Sequence, residues 1–400
     1  MKRFNYKAKD KKTGKTVKGN IQAENEQTAG RLLIEQGYIP QTVTEEGNGL
    51  LNNKGHVTAK DRITFTRQMA TLIGAGLPLA TSLRTVAEQT QSKTMKGIVE
   101  EVLAKVEAGK TLHESFAEHP DVFNGVYLAL IKAGETSGTL DLALKRLADQ
   151  EEKDAAMLSK IRGALVYPAI ILVVIIAVLA FMMILVVPQV KGLYEDMGKE
   201  LPGLTKFLVA ISDFFAQFWW LVMIITGATI AGIYYYIKRT SSGRKIADAF
   251  KLKVPLFGGL FKKLYVSRFA RTTEMMLATG VPMLDSVKIA IESTNNKVVE
   301  EEYSKSLEII KGGKTLSEGL KERNYMLPLV PQMASIGEES GKIDEMLGKA
   351  ATVYENELDE QINNISTMIE PILMVIMAGL IGVVIGGTLL PIYSLVSTVA

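Results

Sequence analysis

The segment from Phe65 to Pro188 occurs twice in this chain, and the duplication limits the fold more than any other feature of the sequence. Its landmarks return 204 residues later from Phe269 to Thr315, and 203 residues later, after one position is lost, up to Pro391. Phe65/Phe269, Arg67/Arg271, Gly76/Gly280, Pro78/Pro282 and Ser82/Ser286 pair in order. Gly109-Lys110-Thr111-Leu112 then answers Gly313-Lys314-Thr315-Leu316, and Gly134-Glu135-Thr136-Ser137-Gly138 answers Gly337-Glu338-Glu339-Ser340-Gly341. Asp141/Asp344, Pro168/Pro371 and Pro188/Pro391 close the series. Each copy is too long for a solenoid repeat, so the unit is a duplicated domain of polar helices running into an apolar segment.

Hydrophobic residues make up 47% of the chain, but they are concentrated. Leu165–Val187, Phe214–Ile237 and Pro371–Ala400 carry no charge. As a helix the first run is roughly 35 Å long, which exceeds a hydrocarbon core of about 30 Å. Three membrane-spanning helices are predicted. Phe214, Phe215, Phe218, Trp219 and Trp220 open the second run and Tyr234-Tyr235-Tyr236 ends it, matching the aromatic belts of the two interfaces. Lys160 and Arg162 precede the first span, and Lys238, Arg239, Arg244 and Lys245 follow the second, so both polar repeats are expected in the cytoplasm. The acidic flank of the third span leaves its direction to alternation, with the N-terminus cytoplasmic and the C-terminus outside.

The expected organisation is a small N-terminal α/β module over residues 1–45, a linker over 46–57 and a first cytoplasmic helical domain over 58–160. A span over 164–188, an extracytoplasmic loop over 189–213 and a span over 214–237 come next. A second cytoplasmic helical domain over 245–365, a span over 371–393 and an extracytoplasmic tail over 394–400 complete it. In the first module, Phe4–Ala8 and Thr16–Ile21 alternate as a hairpin, Ala23–Glu35 reads as a helix, and Tyr38–Val43 suits a third strand. The charged start from Lys2 onward leads us to expect no signal peptide. The fold class is thus mainly α, an integral membrane protein with two duplicated helical domains.

Within each repeat, Gly76 with Pro78 and Gly280 with Pro282 mark a turn between helices. Gly138 and Gly341 mark a later break. Beyond it Leu140, Leu144 and Leu147, and likewise Ile343, Leu347, Ala350, Tyr354 and Leu358, recur at helical spacing up to the membrane. Each of these helices is expected to continue unbroken to Pro168 or Pro371 and to bend there, because an interior proline removes a ladder bond. Gly382 and Gly386 in the third span are spaced for close helix packing.

Chemistry is sparse. There is no cysteine, which excludes thiolate catalysis and disulfides, and the net charge of +3 is too small to argue for nucleic acid. Gly109-Lys110-Thr111, Gly313-Lys314-Thr315 and Gly14-Lys15-Thr16 resemble phosphate loops only in part. The glycine that such a loop needs five positions earlier is Ala104, Glu308 and Lys9. Thr111 with Glu114 and Thr315 with Glu318 have instead the spacing of helix capping boxes. No catalytic, cofactor or metal residues are assigned. Arg67, Glu135, Arg271, Glu338 and Glu339 are candidate partner contacts, with a divalent cation at the acidic helix ends as the alternative for the carboxylates. The spans hold no charged residue, which disfavours the reading as a transporter built from two repeats.

The motifs together resemble the type II secretion F family. They are Phe65-Thr-Arg-Gln-Met-Ala-Thr-Leu-Ile-Gly-Ala-Gly-Leu-Pro-Leu79, Gly134-Glu-Thr-Ser-Gly-Thr-Leu140, Ile161-Arg-Gly-Ala-Leu-Val-Tyr-Pro168, Leu201-Pro-Gly-Leu-Thr205, and Phe269-Ala-Arg-Thr with Gly280-Val-Pro282. The resemblance implies a platform without enzymatic activity in the bacterial inner membrane, with antiparallel bundles of about six helices per cytoplasmic repeat. It implies a homodimer or homotetramer that engages a hexameric assembly ATPase, pilin or pseudopilin subunits and inner-membrane alignment proteins. Type IV pilus assembly is the first expectation, and type II secretion or a competence pseudopilus the alternative.

Overall fold

The computed structural model describes residues 2–10, 16–23, 26–35, 37–45, 56–196, 198, 201–255 and 257–399 of the chain. The expected linker lies largely outside them. The chain divides into two units, Met1–Thr58 with Gln91–Met95, and Ala59–Thr90 with Lys96–Ala400.

The first unit contains β1 (Lys2–Asp10), β2 (Thr16–Ala23), α1 (Glu26–Glu35) and β3 (Tyr38–Glu45). The sheet is antiparallel in the order β2-β1-β3, with Ala8 opposite Val17 and a register shift between Lys7 and Ala8 where β1 meets β3. Among the described residues its buried side chains include Ala8, Ala23, Ala29 and Leu33. So small a core is what so short a segment allows.

The second unit begins with α2 (Ala59–Gly74), α3 (Leu79–Gln89), α4 (Lys93–Glu107), α5 (Leu112–Ala117), α6 (Gly125–Ser137) and α7 (Leu140–Phe181). A π-helical turn, Met182–Val186, leads into α8 (Val187–Asp196), followed by α9 (Gly203–Arg239) and α10 (Ser241–Lys253). The second copy is α11 (Gly258–Ala278), α12 (Met283–Ser293), α13 (Lys297–Lys311), α14 (Leu316–Lys321), α15 (Leu329–Ser340) and α16 (Ile343–Val399). Three of these helical stretches, within Leu140–Asp196, Thr205–Arg239 and Ile343–Gly387, are long and apolar enough to cross a membrane.

Each repeat closes over its own aromatic centre. In the first, Phe65, Phe116, Phe123 and Tyr127 are fully buried, with Phe116 and Phe123 ring centroids 4.2 Å apart. The Tyr127 hydroxyl meets Thr66 Oγ1 at 3.2 Å, and burial raises its pKa. In the second, Phe269 packs edge-on against Tyr303 at 5.3 Å, and the Tyr303 hydroxyl donates to the Tyr325 carbonyl. The paired residues Phe65 and Phe269 hold the same place in both cores. Leu347, Ala350, Ala351, Leu358 and Ile362 on α16 join the second core, so the long helix is part of the bundle before it leaves it.

Both long helices pass through their prolines. The assignment of α7 is uninterrupted at Pro168 and that of α16 at Pro371, where bends were expected. A proline forfeits one ladder bond, here to the carbonyl of residue 164 or 367, and the turns on either side continue the helix. Departures from α geometry occur in the π turn and at Phe218, whose φ of −118° and ψ of 15° interrupt α9. Ser212 Oγ donates to the Met183 carbonyl inside the π turn, giving an outside donor to a carbonyl of the widened ladder.

The segment expected as a loop over 189–213 is largely helical. Pro202 stands at the start of α9, where its missing N–H costs nothing. Val190 and Tyr194 bury against Leu201, and Lys191 reaches Asp213 at 3.0 Å. The tail expected from 394 is also helical, as α16 runs to Val399.

Candidate functional site

The repeated Gly-Glu-x-Ser-Gly turn joins three helices. Gly134 lies in the last turn of α6 at its contact with α7: a Cβ added there would lie 2.7 Å from Ala143 Cβ and 3.1 Å from Leu140 Cα. In the second copy a Cβ on Gly337 would meet Ile343 Cα at 2.6 Å. The closing glycines, Gly138 at φ 75° and Gly341 at φ 70°, take the left-handed conformation that lets the chain reverse after α6 and α15. The amides after them, Thr139 and Lys342, each donate to the first glycine's carbonyl at 2.9 Å.

The glutamate of the turn reaches a third helix. Glu135 Oε1 accepts from Leu112 N at 2.5 Å and Oε2 from His113 N at 3.0 Å, both at the start of α5. Glu338 repeats this on Leu316 N at 2.5 Å and takes the Ser317 hydroxyl at 2.5 Å. At Thr111 the capping box with Glu114 is complete, whereas at Thr315 the threonine hydroxyl accepts from Glu318 N at 3.2 Å. The free amides of two very short helices are therefore taken up from two directions. A carboxylate held against two amides at a positive helix end is worth a few kcal/mol at most. Glu135→Ala should lower stability by about 1–2 kcal/mol, read as an earlier loss of helicity on heating the detergent-solubilised protein.

The two candidate arginines grip the long helices. Arg67 on α2 forms a fork with Glu152 on α7, with both bonds at 2.7 Å, and adds Asp149 at 2.6 Å. Arg271 on α11 forms the same fork with Glu355 on α16, with both bonds at 2.9 Å, and adds the Thr352 hydroxyl at 2.8 Å. Hydrogen bonds to Glu152 and Asp149 raise the Arg67 pKa and that to Arg67 lowers the Glu152 pKa, so the pair stays charged throughout the physiological range. Each fork fastens the first long helix of a repeat to its last, the one that leads toward the membrane.

Between the repeats the contacts change character. Arg146 on α7 lies 3.5 Å from Glu274 on α11, Arg268 lies 3.7 Å from Asp154, and Lys153 lies 3.8 Å from Glu355. Arg146 Nη1 and Arg268 Nε have no hydrogen-bond partner. Only the exposed Lys160–Asp359 pair closes to 2.6 Å among these cross-seam ion pairs. A cavity of about 460 Å3 opens in this seam, bordered by Arg62, Glu151, Asp154, Arg268, Glu292 and Asn295 among others. Burial raises the pKa values of Glu151, Asp154 and Glu274, against the opposing pull of Arg62, Arg268 and Arg271. In its ionic contacts the seam is the looser of the two connections, while Met157, Ile161 and Ala164 of α7 pack against the second core across it.

Of the candidate partner contacts, Arg67, Arg271, Glu135 and Glu338 all make these internal bonds, while Glu339 is exposed at the end of α15. Gly76 at φ 86° and Gly280 at φ 80° sit in matching turns before Pro78 and Pro282, which precede α3 and α12. Among the described residues nothing lies within 4 Å of a Cβ added at Gly382, and next to Gly386 the Gly387 carbonyl accepts from Thr205 Oγ1 at 2.9 Å. Several seam residues did not emerge from the sequence because they are where the copies differ, although Asp154 and Arg146 keep their charge as Glu357 and Lys349 in the second copy. Arg62, Glu151, Arg268 and Glu274 correspond to Val266, Tyr354, Thr64 and Ala70 in the other repeat. A listing of mismatches inside an otherwise matched repeat would have found them.

Comparison with known proteins agrees with this duplicated architecture. Residues 65–188 and 269–391 each match the family described as type II secretion system (T2SS), protein F, and residues 1–44 match its N-terminal domain. The chain is 36% identical to the type IV pilus assembly protein PilC of Thermus thermophilus over 99% of both chains. It is 35% identical to PilC of Myxococcus xanthus over 99% of this chain and 95% of that one. It is also 32% identical to the type II secretion system protein F of Vibrio cholerae over 98% of each. Two matched helical repeats, each running into an apolar helix, and full-length similarity to these proteins make the chain a member of the type II secretion system F family.

Proposed function

We propose that this chain is the non-enzymatic inner-membrane platform of a type IV pilus assembly machine. It would couple a cytoplasmic assembly ATPase to the movement of pilin subunits out of the membrane. The relatives named as pilus assembly proteins support the machine. The observation that supports coupling is that α7 and α16 are each bolted to a helical repeat by an arginine fork and continue without interruption into an apolar stretch. Displacement of a repeat at its cytoplasmic face would then be carried along a stiff helix, while the loosely bonded seam lets the two repeats shift against each other.

In this reading the two repeats form cytoplasmic bundles of about six helices, residues 1–45 form a cytoplasmic accessory module, and the C-terminus lies outside. Arg67 and Glu135 act by stiffening the bundles, and the exposed Glu339 is left as a partner contact. Deletion of the chain should abolish piliation, and restoration should require the full chain; counts of surface pili measure this. Loss of exported enzymes with normal pili would place the protein in type II secretion instead. Reconstituted in nanodiscs, the full chain should retain the assembly ATPase of its own machine, and absence of binding would overturn direct coupling. Solute flux through liposomes carrying the protein would favour a transporter.

A further inference from the structure

Helix α10 sets Leu252 against the second core, yet it also carries a buried carboxylate and an exposed apolar stripe. Its carboxylate, Asp248, is turned inward and buried, accepting from Lys297 N at 3.1 Å and Lys251 Nζ at 2.8 Å. Its two largest apolar side chains, Ile246 and Phe250, are turned outward and remain 63% and 68% exposed. They lie one turn apart, and Lys253 follows on the same stripe. An isolated exposed leucine needs no explanation, but a phenylalanine and an isoleucine on one stripe, with a carboxylate on the other side, do.

The position of the helix supplies the occupant. Only Thr240 separates α10 from α9, a helix long and apolar enough to cross a membrane. The corner is tight, since a Cβ on Gly243 would lie 2.6 Å from the Tyr236 carbonyl. Around it, Lys238, Arg239, Arg244, Lys245 and Lys297 face a recess of about 350 Å3 that contains one carboxylate, Glu301. Lys238 and Arg239 lie over the rings of Tyr234 and Tyr235, at 5.1 and 5.6 Å from their centroids, and Arg244 bonds to the neutral amide of Asn295. Positive charge thus exceeds negative at the end of a span, beside an outward apolar stripe.

We propose that α10 docks on an anionic phospholipid bilayer, with Ile246 and Phe250 at the level of the upper acyl chains and the surrounding lysines and arginines among the phosphates. The helix would thereby fix the height and tilt of the second repeat relative to the membrane. The inference rests on α9 being a span, and not on the coupling to an ATPase.

The absence of native cysteine makes the test direct. The full chain carrying Phe250→Cys, spin-labelled, is reconstituted into phosphatidylcholine vesicles with and without phosphatidylglycerol. Met223→Cys, within α9 and 67% exposed, serves as the span control. The Phe250 label should be shielded from a water-soluble relaxant about twofold more in the anionic vesicles, and the difference should shrink as the Debye length falls from roughly 10 Å to 3 Å between 0.1 and 1 M salt. The pair Lys245→Gln and Lys253→Gln should reduce the shielding in the same way. Equal exposure in both vesicles overturns the proposal. Shielding that appears in detergent and grows with protein concentration also overturns it, since a second copy of the chain would then be the occupant. A Met223 label that stays out of the hydrocarbon overturns the span and with it the docking of α10, whatever the outcome of the pilus assays.

Discussion

Gly337→Ala should destabilise the protein by about 2–3 kcal/mol, although alanine is the better helix former. The new methyl would lie 2.6 Å from Ile343 Cα, 3.1 Å from Ile343 N and 3.2 Å from the Lys342 carbonyl. All three are backbone atoms of the turn and of the first residue of α16, so no rotamer change relieves the clash. The helix must move, and with it the cap that Glu338 makes on α14. Gly97→Ala in α4 is the control, because nothing lies within 4 Å of a Cβ there. It should raise stability by about 0.5–1 kcal/mol. Melting of both variants in the same detergent, followed by helicity, checks the pair. A fall for both, or for neither, would show that close approach at the turn does not set the sign.

Arg271→Ala should cost about 3 kcal/mol, whereas Arg67→Ala at the matching position should cost at most about 1 kcal/mol. The two forks have the same geometry and differ in burial. The Arg271 and Glu355 side chains are 14% and 19% exposed, and those of Arg67 and Glu152 are 36% and 47%. Removing Arg271 leaves a largely desolvated carboxylate whose nearest other cation, Lys153, is 3.8 Å away. Removing Arg67 returns Glu152 to water. Thermal or denaturant midpoints of the two variants under one condition measure the difference, and equal losses would contradict the burial argument. On the proposed function the Arg271 variant should also lose piliation before it loses its fold, because the fork adds a polar tie to the apolar packing that joins the second repeat to the helix that leads into the bilayer.

Much of this fold was legible in the sequence. The paired landmarks located the glycine turns between helices and the helices from Leu140 and Ile343, because each depends on local chemistry: helical spacing, left-handed glycine and apolar length. Two kinds of feature were not legible. The roles of Arg67, Glu135 and their counterparts depend on contacts 21 to 85 residues distant in sequence, and a charged residue that bonds internally looks the same in sequence as one that meets a partner. The helical stretch between the first two spans was hidden for another reason. Its mixed charges suggested a loop, but Val190, Tyr194, Leu201, Thr205 and Ser212 find burial or hydrogen bonds against the neighbouring helices.

The sequence by itself determined the duplication, the helical character of both copies, the three apolar runs and the family, since these follow from periodicity, punctuation and hydrophobic length. Tertiary structure alone decided how the copies meet. Where the repeats match, each side chain serves its own bundle, and one copy predicts the other. Where they face each other they must be complementary rather than alike: Arg268 and Glu274 stand where the first copy has Thr64 and Ala70, and they meet Asp154 and Arg146, whose charges the second copy keeps as Glu357 and Lys349. The same holds for α10, whose sequence reads as an ordinary charged helix until packing turns Asp248 inward and leaves Ile246 and Phe250 outside.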